Sequence, residues 1–330
     1  MQVDYIVVGQ GLSGSWVSWF LMQQKKSFVV IDKNESQTAS KNSAGIMNPM
    51  TGKRYAKVPL IDTVFPFAVK AYQEVGTFFN RQFIFPTAVI DLFSSKESEA
   101  LFLKRKVAEP TYLSIEERTN YQKHFTIEHA VGKINDCYRV DVHLFLNTIQ
   151  GYLKSQNQLL EAAFEYEQIE IVGDQIMYKN IVAKHLIFCD GISVVDNPLW
   201  NKIPFANTKG EVLLVEIKNL SADFIYKHKH LIVPLKENLF WVGASNSWQY
   251  ETDKPSAEFY FETKKWLDEF LKIPYQIKAH HASIRPTAAN RMPVSTWHTI
   301  YKNVGMLNGM GTKGSFHAPY YAAQLIQQSN

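Results

Sequence analysis

The residues of this chain whose types and spacing point most directly to chemistry lie near its beginning. Residues 9–14 (GQGLSG) have the spacing G-x-G-x-x-G, and Asp32 follows 23 positions after Gly9. In such a pattern the first glycine permits a tight turn, and the second lets the backbone approach a pyrophosphate. The third lets a helix pack closely on a strand, and the acid binds a ribose hydroxyl. These residues therefore predict a dinucleotide-binding site.

The elements around this loop are those that the pattern requires. Residues 3–8 form an apolar run of strand formers, residues 15–22 predict a helix, and residues 27–31 predict a buried strand that leads to Asp32. This context favours a dinucleotide site over the other interpretation of the glycines, a tight turn in an unrelated α/β protein. The pattern does not identify the dinucleotide.

A second glycine loop, residues 309–314 (GMGTKG), has the same spacing near the end of the sequence. Only sixteen residues follow Gly314, enough for one helix but not for a further strand with its ribose acid. The loop therefore predicts a helix N-terminus whose amides face an anionic group. No separate nicotinamide domain is expected.

Length and composition restrict the class of protein. A chain of 330 residues predicts one large domain or two intergrown domains. A hydrophobic content of 46% with 20% charged residues is typical of a soluble globular protein. The net charge of +4 is too small for a dedicated nucleic-acid-binding protein. Cys137 and Cys189 are too few for a disulfide framework or a cysteine metal site.

Targeting signals are not expected. Met1 leads directly into the first predicted strand, which leaves no room for a signal peptide. No run of eighteen apolar residues predicts a membrane span. We therefore expect a cytoplasmic protein with no metal centre and no membrane partner.

The first half of the chain continues with helices and strands in alternation. The polar residues 33–43 form a long loop, interpreted either as functional or as a solvated connector. Helices are predicted over residues 62–80, 95–107 (amphipathic, with a basic face) and 141–153, the last capped by Asp141. Strands are predicted over residues 83–93, broken at Pro86, over 183–190, and as a hairpin over 164–178.

From Thr208 onward the pattern favours an antiparallel sheet. Strands are predicted over residues 210–217, 230–235, 239–245, 275–284 and 300–307, and helices over 256–271 and 315–328. The many aromatic residues of this sheet suit a wall over a cofactor. His280 and His281 are acid–base candidates, but neighbouring strand residues point to opposite faces, so at most one faces a pocket.

Taken together, these motifs resemble the FAD-dependent D-amino-acid oxidase superfamily. The nearest branches are the glycine and sarcosine oxidases and the oxidase domain of the bacterial tRNA enzyme that makes methylaminomethyl-uridine. The resemblance runs almost end to end. Beyond residues 9–14 it rests on residues 42–45 (NSAG), 188–191 (FCDG), 242–245 (VGAS), 285–293 (Arg285-Pro286 with Pro293) and 311–319 (GTKG, then Ala318-Pro319).

Four positions depart from the pattern of the superfamily. Asp32 replaces a commoner glutamate but still suits a ribose, and Asn290 stands where aspartate is usual. Cys189 replaces alanine, and Ser295 replaces a frequent glycine. None of these changes removes the cofactor site, but Asn290 weakens any role that needs a charge there.

The resemblance implies an α/β protein in which a Rossmann-like FAD-binding domain is intergrown with an α+β substrate domain built on an antiparallel sheet. The FAD-binding domain is expected to comprise residues 1–62, 135–207 and 285–330. The substrate domain is expected to comprise residues 63–134 and 208–284.

The resemblance also implies FAD as the cofactor and a set of residues that contact it. These are Gly9, Gly11, Leu12, Ser13, Gly14, Asp32, Lys33, Ser43, Ala44, Gly45, Cys189, Gly191, Arg285, Gly309, Gly311, Thr312, Lys313 and Gly314. Lys313 is placed near the pyrimidine edge of the flavin or in solvent, and the Cys189 thiol is interpreted as a small buried apolar group. We expect FAD to be non-covalent, since no His precedes His124 and no Cys follows Cys189.

The implied activity is oxidation of the C–N bond of a small amino acid or secondary amine by hydride transfer to the flavin. Arg285 is the candidate substrate anchor, because a guanidinium grips a carboxylate with two hydrogen bonds. The other interpretation is an arginine that only pairs structurally with a backbone group or a carboxylate. Two alternative functions are a stand-alone tRNA-modifying oxidase acting on carboxymethylaminomethyl-uridine and a non-catalytic flavin-binding protein. The expected partner is a small amine. Nucleic acid is not favoured but tRNA stays open, and the substrate, electron acceptor and oligomeric state are not determined by the sequence.

Overall fold

The computed structural model describes residues 1–329, which form six α-helices and nineteen β-strands. The helices are α1 Leu12–Gln23, α2 Ile61–Phe79, α3 Lys96–Ala108, α4 Val142–Ser155, α5 Ala257–Phe270 and α6 Gly314–Gln327. The strands are β1 Gln2–Val8, β2 Phe28–Asp32, β3 Ile46–Met47, β4 Met50–Thr51, β5 Ala56–Lys57, β6 Ile84–Leu92, β7 Leu113–Glu116, β8 Val131–Val140, β9 Leu159–Glu161, β10 Ile169–Val172, β11 Gln175–Tyr178, β12 Ile181–Phe188, β13 Thr208–Ile217, β14 Phe224–Lys227, β15 Leu231–Lys236, β16 Leu239–Gly243, β17 Tyr275–Arg285, β18 Val294–Trp297 and β19 Val304–Asn308.

The first sheet has the order β10-β11-β12-β1-β2-β9, with β19 beside the end of β12 and β18 beside β19. Strands β19, β12, β1, β2 and β9 run parallel, so their carboxyl ends lie on one side. The apolar runs that predicted β1 and β2 are buried on both faces, as is usual for parallel sheets. Helices α1, α2, α4 and α6 share a core with one face. The β10–β11 hairpin, predicted from the sequence, extends this sheet.

The second sheet has the order β17-β13-β16-β15-β14-β6-β8-β3, with β7 paired to β8. Its pairs are antiparallel except for β14 with β6. One face packs Leu213, Phe240 and Val242 against Trp266 and Leu267 of α5. The other face carries Val212, Trp241 and neighbouring apolar residues. The mixture of a parallel sheet and a largely antiparallel sheet confirms the predicted α/β architecture with a substrate sheet.

The helix starts follow the capping residues in the sequence. Asp141 accepts a hydrogen bond from the Leu144 amide at 2.9 Å, and Ser256 accepts one from the Phe259 amide at 3.3 Å. Side-chain oxygens at these positions satisfy amides that have no partner within the helix. The cap predicted at Asp141 is confirmed.

Three local predictions were wrong. Residues 84–92 form one continuous strand through Pro86, because β14 pairs with β6 only from Ala88 onward and needs no amide from Pro86. Helix α3 is not amphipathic in its burial, since Phe102 is its one buried residue and Leu101 and Val107 are exposed. Strand β19 begins at Val304, not at residue 300, because Tyr301 accepts the amide of Val304 in a turn.

The proposed division into two domains stays a prediction. Strand β8 spans the boundary expected between residues 134 and 135 and lies wholly in the second sheet. Strand β3, expected in the FAD-binding domain, pairs with β8 there. Over residues 1–329, no helix combines the length and apolarity needed to cross a bilayer.

Candidate functional site

A cavity of about 1520 Å³ lies between the carboxyl ends of the parallel strands and the second sheet. Ligand pockets usually measure about 300–1,000 Å³, so this cavity has room for a cofactor and a substrate. Most residues that the sequence assigned to the cofactor line it: Gly9, Gly11, Leu12, Ser13, Asp32, Lys33, Ser43, Ala44, Gly45, Cys189, Gly191, Arg285, Gly311, Thr312, Lys313 and Gly314. Gly14 and Gly309 do not. Open parallel sheets bind ligands at this edge.

Gly14 acts behind the cavity wall. A Cβ atom at this position would lie 1.8 Å from the carbonyl oxygen of Gly9. Helix α1 can therefore approach the end of β1 only with glycine here, which is the packing role predicted for the third glycine of the motif. Gly309 likewise packs against Ala288 and Val294 rather than facing the cavity.

The first turn of α1 presents amides to the cavity. Its N-cap, Gly11, has no side chain to accept them. The Leu12 amide donates to Ser40 Oγ at 3.1 Å, which the sequence did not predict. The other amides of the turn are available to an anion, with the positive end of the helix dipole behind them.

Asp32 is oriented by the backbone on both sides. Its Oδ2 accepts the Gln10 amide at 2.7 Å, and its Oδ1 accepts the Asn34 amide at 2.7 Å. Each carboxylate oxygen has a further lone pair. The carboxylate is thus fixed at the end of β2 with acceptors remaining for a ribose hydroxyl.

The strand end at Cys189 closes the cavity beside the first glycine loop. The Cys189 carbonyl oxygen lies 2.3 Å from where a Cβ on Gly9 would stand, so the two backbones touch. Burial raises the pKa of the Cys189 thiol well above its usual value. The thiol is therefore protonated and unreactive, consistent with its interpretation as a buried apolar group.

Asp190, which the sequence analysis did not single out, ties two cavity loops together. Its carboxylate accepts hydrogen bonds from Tyr166 at 3.1 Å, Asn197 at 3.0 Å and Asn308 at 3.0 Å. Asn308 also donates to the Gly191 carbonyl at 2.9 Å. This network holds the loop after β12 against the loop after β19.

Lys313 stands at the N-cap of α6, where the terminal glycine loop meets the cavity. Burial lowers the pKa of its ammonium group, and no described carboxylate lies within ion-pair distance. His317, one turn on, is buried, and burial lowers its pKa to about 4. A positive helix end carrying an uncompensated Lys suits an electron-rich edge of a ligand.

Arg285, the last residue of β17, lies across Gly210 of the neighbouring β13. A Cβ on Gly210 would stand 1.8 Å from Arg285 Nη2, so the guanidinium occupies the space of the missing side chain. Nη1 donates to the Ser245 carbonyl at 3.2 Å. No carboxylate of residues 1–329 forms an ion pair with it, and burial lowers its pKa. A carboxylate partner for Arg285 is thus not present among these residues, whereas the bond to the Ser245 carbonyl is a backbone pairing of the kind that the alternative interpretation expects.

His280 and His281 point to opposite faces of β17, as the strand alternation predicts. The His280 ring stacks on Phe259 of α5, and its Nε2 lies 3.1 Å from the carboxylate of Glu211. Glu211 also accepts from the backbone and hydroxyl of Ser256 at 2.6 and 2.8 Å. This cluster lies on the α5 side of the sheet. His281 is on the same face as Arg285.

The polar loop after β2 is fastened to the second sheet. The Asn42 carbonyl accepts the indole N–H of Trp241 at 3.0 Å, and Asn42 Nδ2 donates to the Ala282 carbonyl at 3.3 Å. The loop also lines the cavity. Of its two interpretations from sequence, the structure therefore favours the functional one.

A further polar group, missed in the sequence, lies where the cavity reaches β6 and β14. Lys227 Nζ donates to Asp91 Oδ2 at 2.6 Å and lies 4.2 Å from the centre of the Tyr55 ring. Burial, together with the negative charge of Asp91, raises the pKa of the Tyr55 hydroxyl. These residues are far apart in sequence and come together through sheet pairing, so no local motif signals them.

The site fits FAD. A glycine loop and unpartnered helix amides are available for a diphosphate, Asp32 for a ribose, and Lys313 with the α6 terminus for the flavin edge. No group of three or more His, Cys, Asp or Glu within residues 1–329 could hold a metal ion.

Comparisons with known proteins identify the family and the fold of this chain. The family model described as "DAO: FAD dependent oxidoreductase" matches residues 4–328. Glycine oxidase from Geobacillus kaustophilus superposes with a TM-score of 0.83 at 14% identity, covering 99% of this chain and 95% of that one. Iminodiacetate oxidase from Chelativorans sp. BNC1 has a TM-score of 0.80 at 13% identity, covering 98% and 95%.

A third solved structure was determined with FAD bound. It is the dithionite-reduced L-α-glycerophosphate oxidase from Mycoplasma pneumoniae, with a TM-score of 0.77 at 15% identity, covering 99% of this chain and 94% of that one. At these identities the structural likeness shows the fold.

Proposed function

The chain belongs to the family of FAD-dependent oxidoreductases, and on that premise we propose that it oxidises the C–N bond of a small amine or amino acid that bears a carboxylate. The bound flavin supplies the hydride acceptor, while the protein binds and orients the substrate. The observation that carries the proposal is the position of Arg285.

Arg285 has the properties of a carboxylate anchor. Its guanidinium lines the cavity, lies over Gly210 and donates one N–H to Ser245. The remaining N–H donors have no acidic partner among residues 1–329. A planar cation that is partly desolvated and unpaired favours a bidentate anionic ligand.

The second sheet supports orientation of such a substrate. Gly243, Val212 and His281 are register neighbours on the cavity face of β16, β13 and β17. Val212 and Gly243 add an apolar and a small residue to this face, and less polar surroundings strengthen the interaction of Arg285 with a carboxylate. An amine anchored at Arg285 would lie between this face and the glycine loops.

The direct test is anaerobic reduction of the purified flavoprotein by a panel of amines. Glycine, sarcosine, iminodiacetate and proline are compared with their amides, and loss of flavin absorbance is followed. We expect acids to reduce the flavin and their amides to do so poorly. If neither acids nor amides reduce it, the proposal is wrong.

One observation supports a second candidate, the tRNA-modifying oxidase. Lys53, Lys229 and Lys254 line the cavity from three separate segments, are exposed, and form no ion pair within residues 1–329. Such a rim suits the phosphate backbone of a nucleic acid. Salt-dependent binding of tRNA, with conversion of its carboxymethylaminomethyl-uridine detected by nucleoside mass spectrometry, would favour this candidate over a free amine.

A non-catalytic flavin-binding protein is the least supported alternative. That interpretation needs an Arg285 buried away from the cofactor site, whereas Arg285 lines the same cavity as the glycine loops. Flavin reduction by any substrate of the panel would exclude it.

A further inference from the structure

The cavity continues well beyond Arg285 along the second sheet. At the level of His281, register pairs run across the sheet through Val212, Gly243, Leu231 and Lys227 to Asp91. All of these residues line the cavity. They therefore form one transverse floor from His281 to Lys227 and Asp91, and Arg285 lies on the same face four residues along β17 from His281.

The floor is long for a small amino acid. From β17 to β14 there are four strand separations. At roughly 4.8 Å each, they place the backbones of His281 and Lys227 about 19 Å apart across the sheet, and Arg285 lies four residues further along β17, about 13 Å along the strand. Between His281 and Lys227 the floor is formed by Val212 and Leu231, with Trp241 one step along the strand. This middle part is apolar.

The far end is a preorganised hydrogen-bond donor. Asp91 is buried, with 4% of its side chain exposed, whereas 26% of the Lys227 side chain is exposed. Lys227 uses one N–H for Asp91 at 2.6 Å, and an ammonium group has three donors. The remaining donors are available on the cavity side.

The ring of Tyr55 packs against the ammonium group of Lys227 and helps to hold it beside Asp91. The Tyr55 ring lies 4.2 Å from Lys227 Nζ, within the range of a cation–π contact, and packs edge-on against Phe102. Burial, together with the negative charge of nearby Asp91, raises the pKa of the Tyr55 hydroxyl, which stays protonated. Both partners of Lys227 are therefore held by the fold rather than by a ligand.

We propose that Lys227 is a specificity-determining residue that binds an uncharged carbonyl oxygen at the distal end of the substrate. The substrate class is then an amino acid or N-substituted glycine whose carboxylate meets Arg285 and whose apolar chain crosses the floor to an amide-like group. This inference rests on the proposed function. An uncharged acceptor is favoured because Asp91 already neutralises Lys227 and would repel a second carboxylate.

The test compares N-alkylglycines that end in a carbamoyl group with methyl-ended analogues of equal length, over short, medium and long spacers. Kinetics of anaerobic flavin reduction give kcat and KM. Thioether analogues, with sulfur in place of the amine, give Kd from the perturbation of the flavin spectrum. We expect one spacer length at which the carbamoyl compound is favoured about tenfold or more, chiefly through KM and Kd.

The informative variant is the double change Asp91→Asn with Lys227→Met. Changing Lys227 alone leaves a buried carboxylate without its partner, which strongly destabilises a fold. The double variant should lose the carbamoyl preference, so that carbamoyl and methyl-ended compounds of equal length show similar KM and Kd. Lys236→Met removes an exposed charge from the neighbouring strand β15, outside the cavity, and should keep the preference.

Three outcomes overturn the inference. In the first, the parent protein shows no carbamoyl preference at any spacer length. In the second, the preference survives in the double variant. In the third, the parent protein prefers a terminal carboxylate over a carbamoyl group. In each of these, reduction by sarcosine shows that the proposed function still holds. If no amine or N-alkylglycine reduces the flavin, the proposed function fails as well.

Discussion

Gly210 and Arg285 lie on adjacent strands, and the guanidinium of Arg285 fills the space where a side chain at position 210 would stand. The predicted Cβ position is 1.8 Å from Nη2 and 2.2 Å from Cζ. The guanidinium of Arg285 therefore lies flat against the sheet, because Gly210 has no side chain there. Its hydrogen bond to the Ser245 carbonyl also holds it in this position. The two residues form one feature of the site.

Gly210→Ala should accordingly displace Arg285 without touching the cofactor loops. We expect FAD content to be unchanged and KM for a carboxylate-bearing amine to rise at least about tenfold, as for a lost charged hydrogen bond. Flavin absorbance and steady-state kinetics measure the two effects. Gly151→Ala, in α4 with open space around it, is the control and should leave KM unaltered. An unchanged KM in Gly210→Ala would show that the guanidinium is not fixed by this contact.

Arg285 itself separates a substrate anchor from a structural residue. Arg285→Lys keeps the charge but loses the planar fork, and Arg285→Ala loses both. Loss of one partner of a buried charge pair costs about 2–5 kcal/mol, so the efficiency of flavin reduction should fall more than tenfold. Anaerobic stopped-flow with matched acid and amide substrates should show the loss on the acid only. Equal losses on both substrates, or loss of FAD, would make Arg285 a structural residue.

Asp32→Ala should weaken FAD binding by about 1.5–3 kcal/mol, the range for a hydrogen bond to a charged group. Titration of the apoprotein with FAD measures the change. Because Asp32 also accepts the amides of Gln10 and Asn34, urea unfolding of the apo forms is needed as a control. Equal FAD affinity in the variant and the parent would show that Asp32 does not contribute to FAD binding and only accepts backbone amides at the end of β2.

The cofactor should be released completely by acid precipitation. The reason is that neither cysteine is placed to form a covalent bond to the flavin. Both are buried, and Cys189 lies beside Gly9 at the first glycine loop, not on the second sheet. The measurement is the flavin absorbance of the supernatant against that of the pellet. Yellow colour remaining with the washed precipitate would demonstrate a covalent bond.

His317 should make stability depend on pH. Its folded pKa of about 4 lies below the usual value of 6.5, so the unfolded chain binds the proton first as pH falls. Its contribution to stability is present above about pH 6.5 and is lost toward pH 4. When the pH is lowered from about 7 to about 5, the free energy of unfolding of the parent should fall by about 2 kcal/mol more than that of His317→Gln. Urea unfolding at saturating FAD measures this difference, and parallel losses in both proteins would contradict it.

The parts of the fold that were predicted correctly carry their signal locally. Strand β1, helix α1 and strand β2 follow from contiguous apolar runs and a glycine loop, and α4 and α5 from a capping residue and helical periodicity. Pro86 was misjudged because its effect depends on whether a neighbour needs its amide. Strand β14 was missed because its four residues pair with β6, far away in the sequence.

The same distinction applies to the site. Gly9, Asp32 and Arg285 belong to motifs that a sequence displays, and all three line the cavity. Asp91 and Lys227 are ordinary charged residues in sequence and acquire a role because the sheet makes them register partners. Asp190 was seen as part of a motif, but its three donors come from loops whose positions only the fold determines.

The strand order of the first sheet sets when the cofactor can be taken up. Strand β1 is synthesised before its neighbour β12, and β19 is synthesised later still. Domains generally fold as units during synthesis, at about 5–20 residues per second. Here the nucleotide edge lacks its last strand, its second glycine loop and α6 until residues 304–327 have been made. We therefore expect FAD to be taken up only after that point, and β1 and β2 to stay without these partners until then.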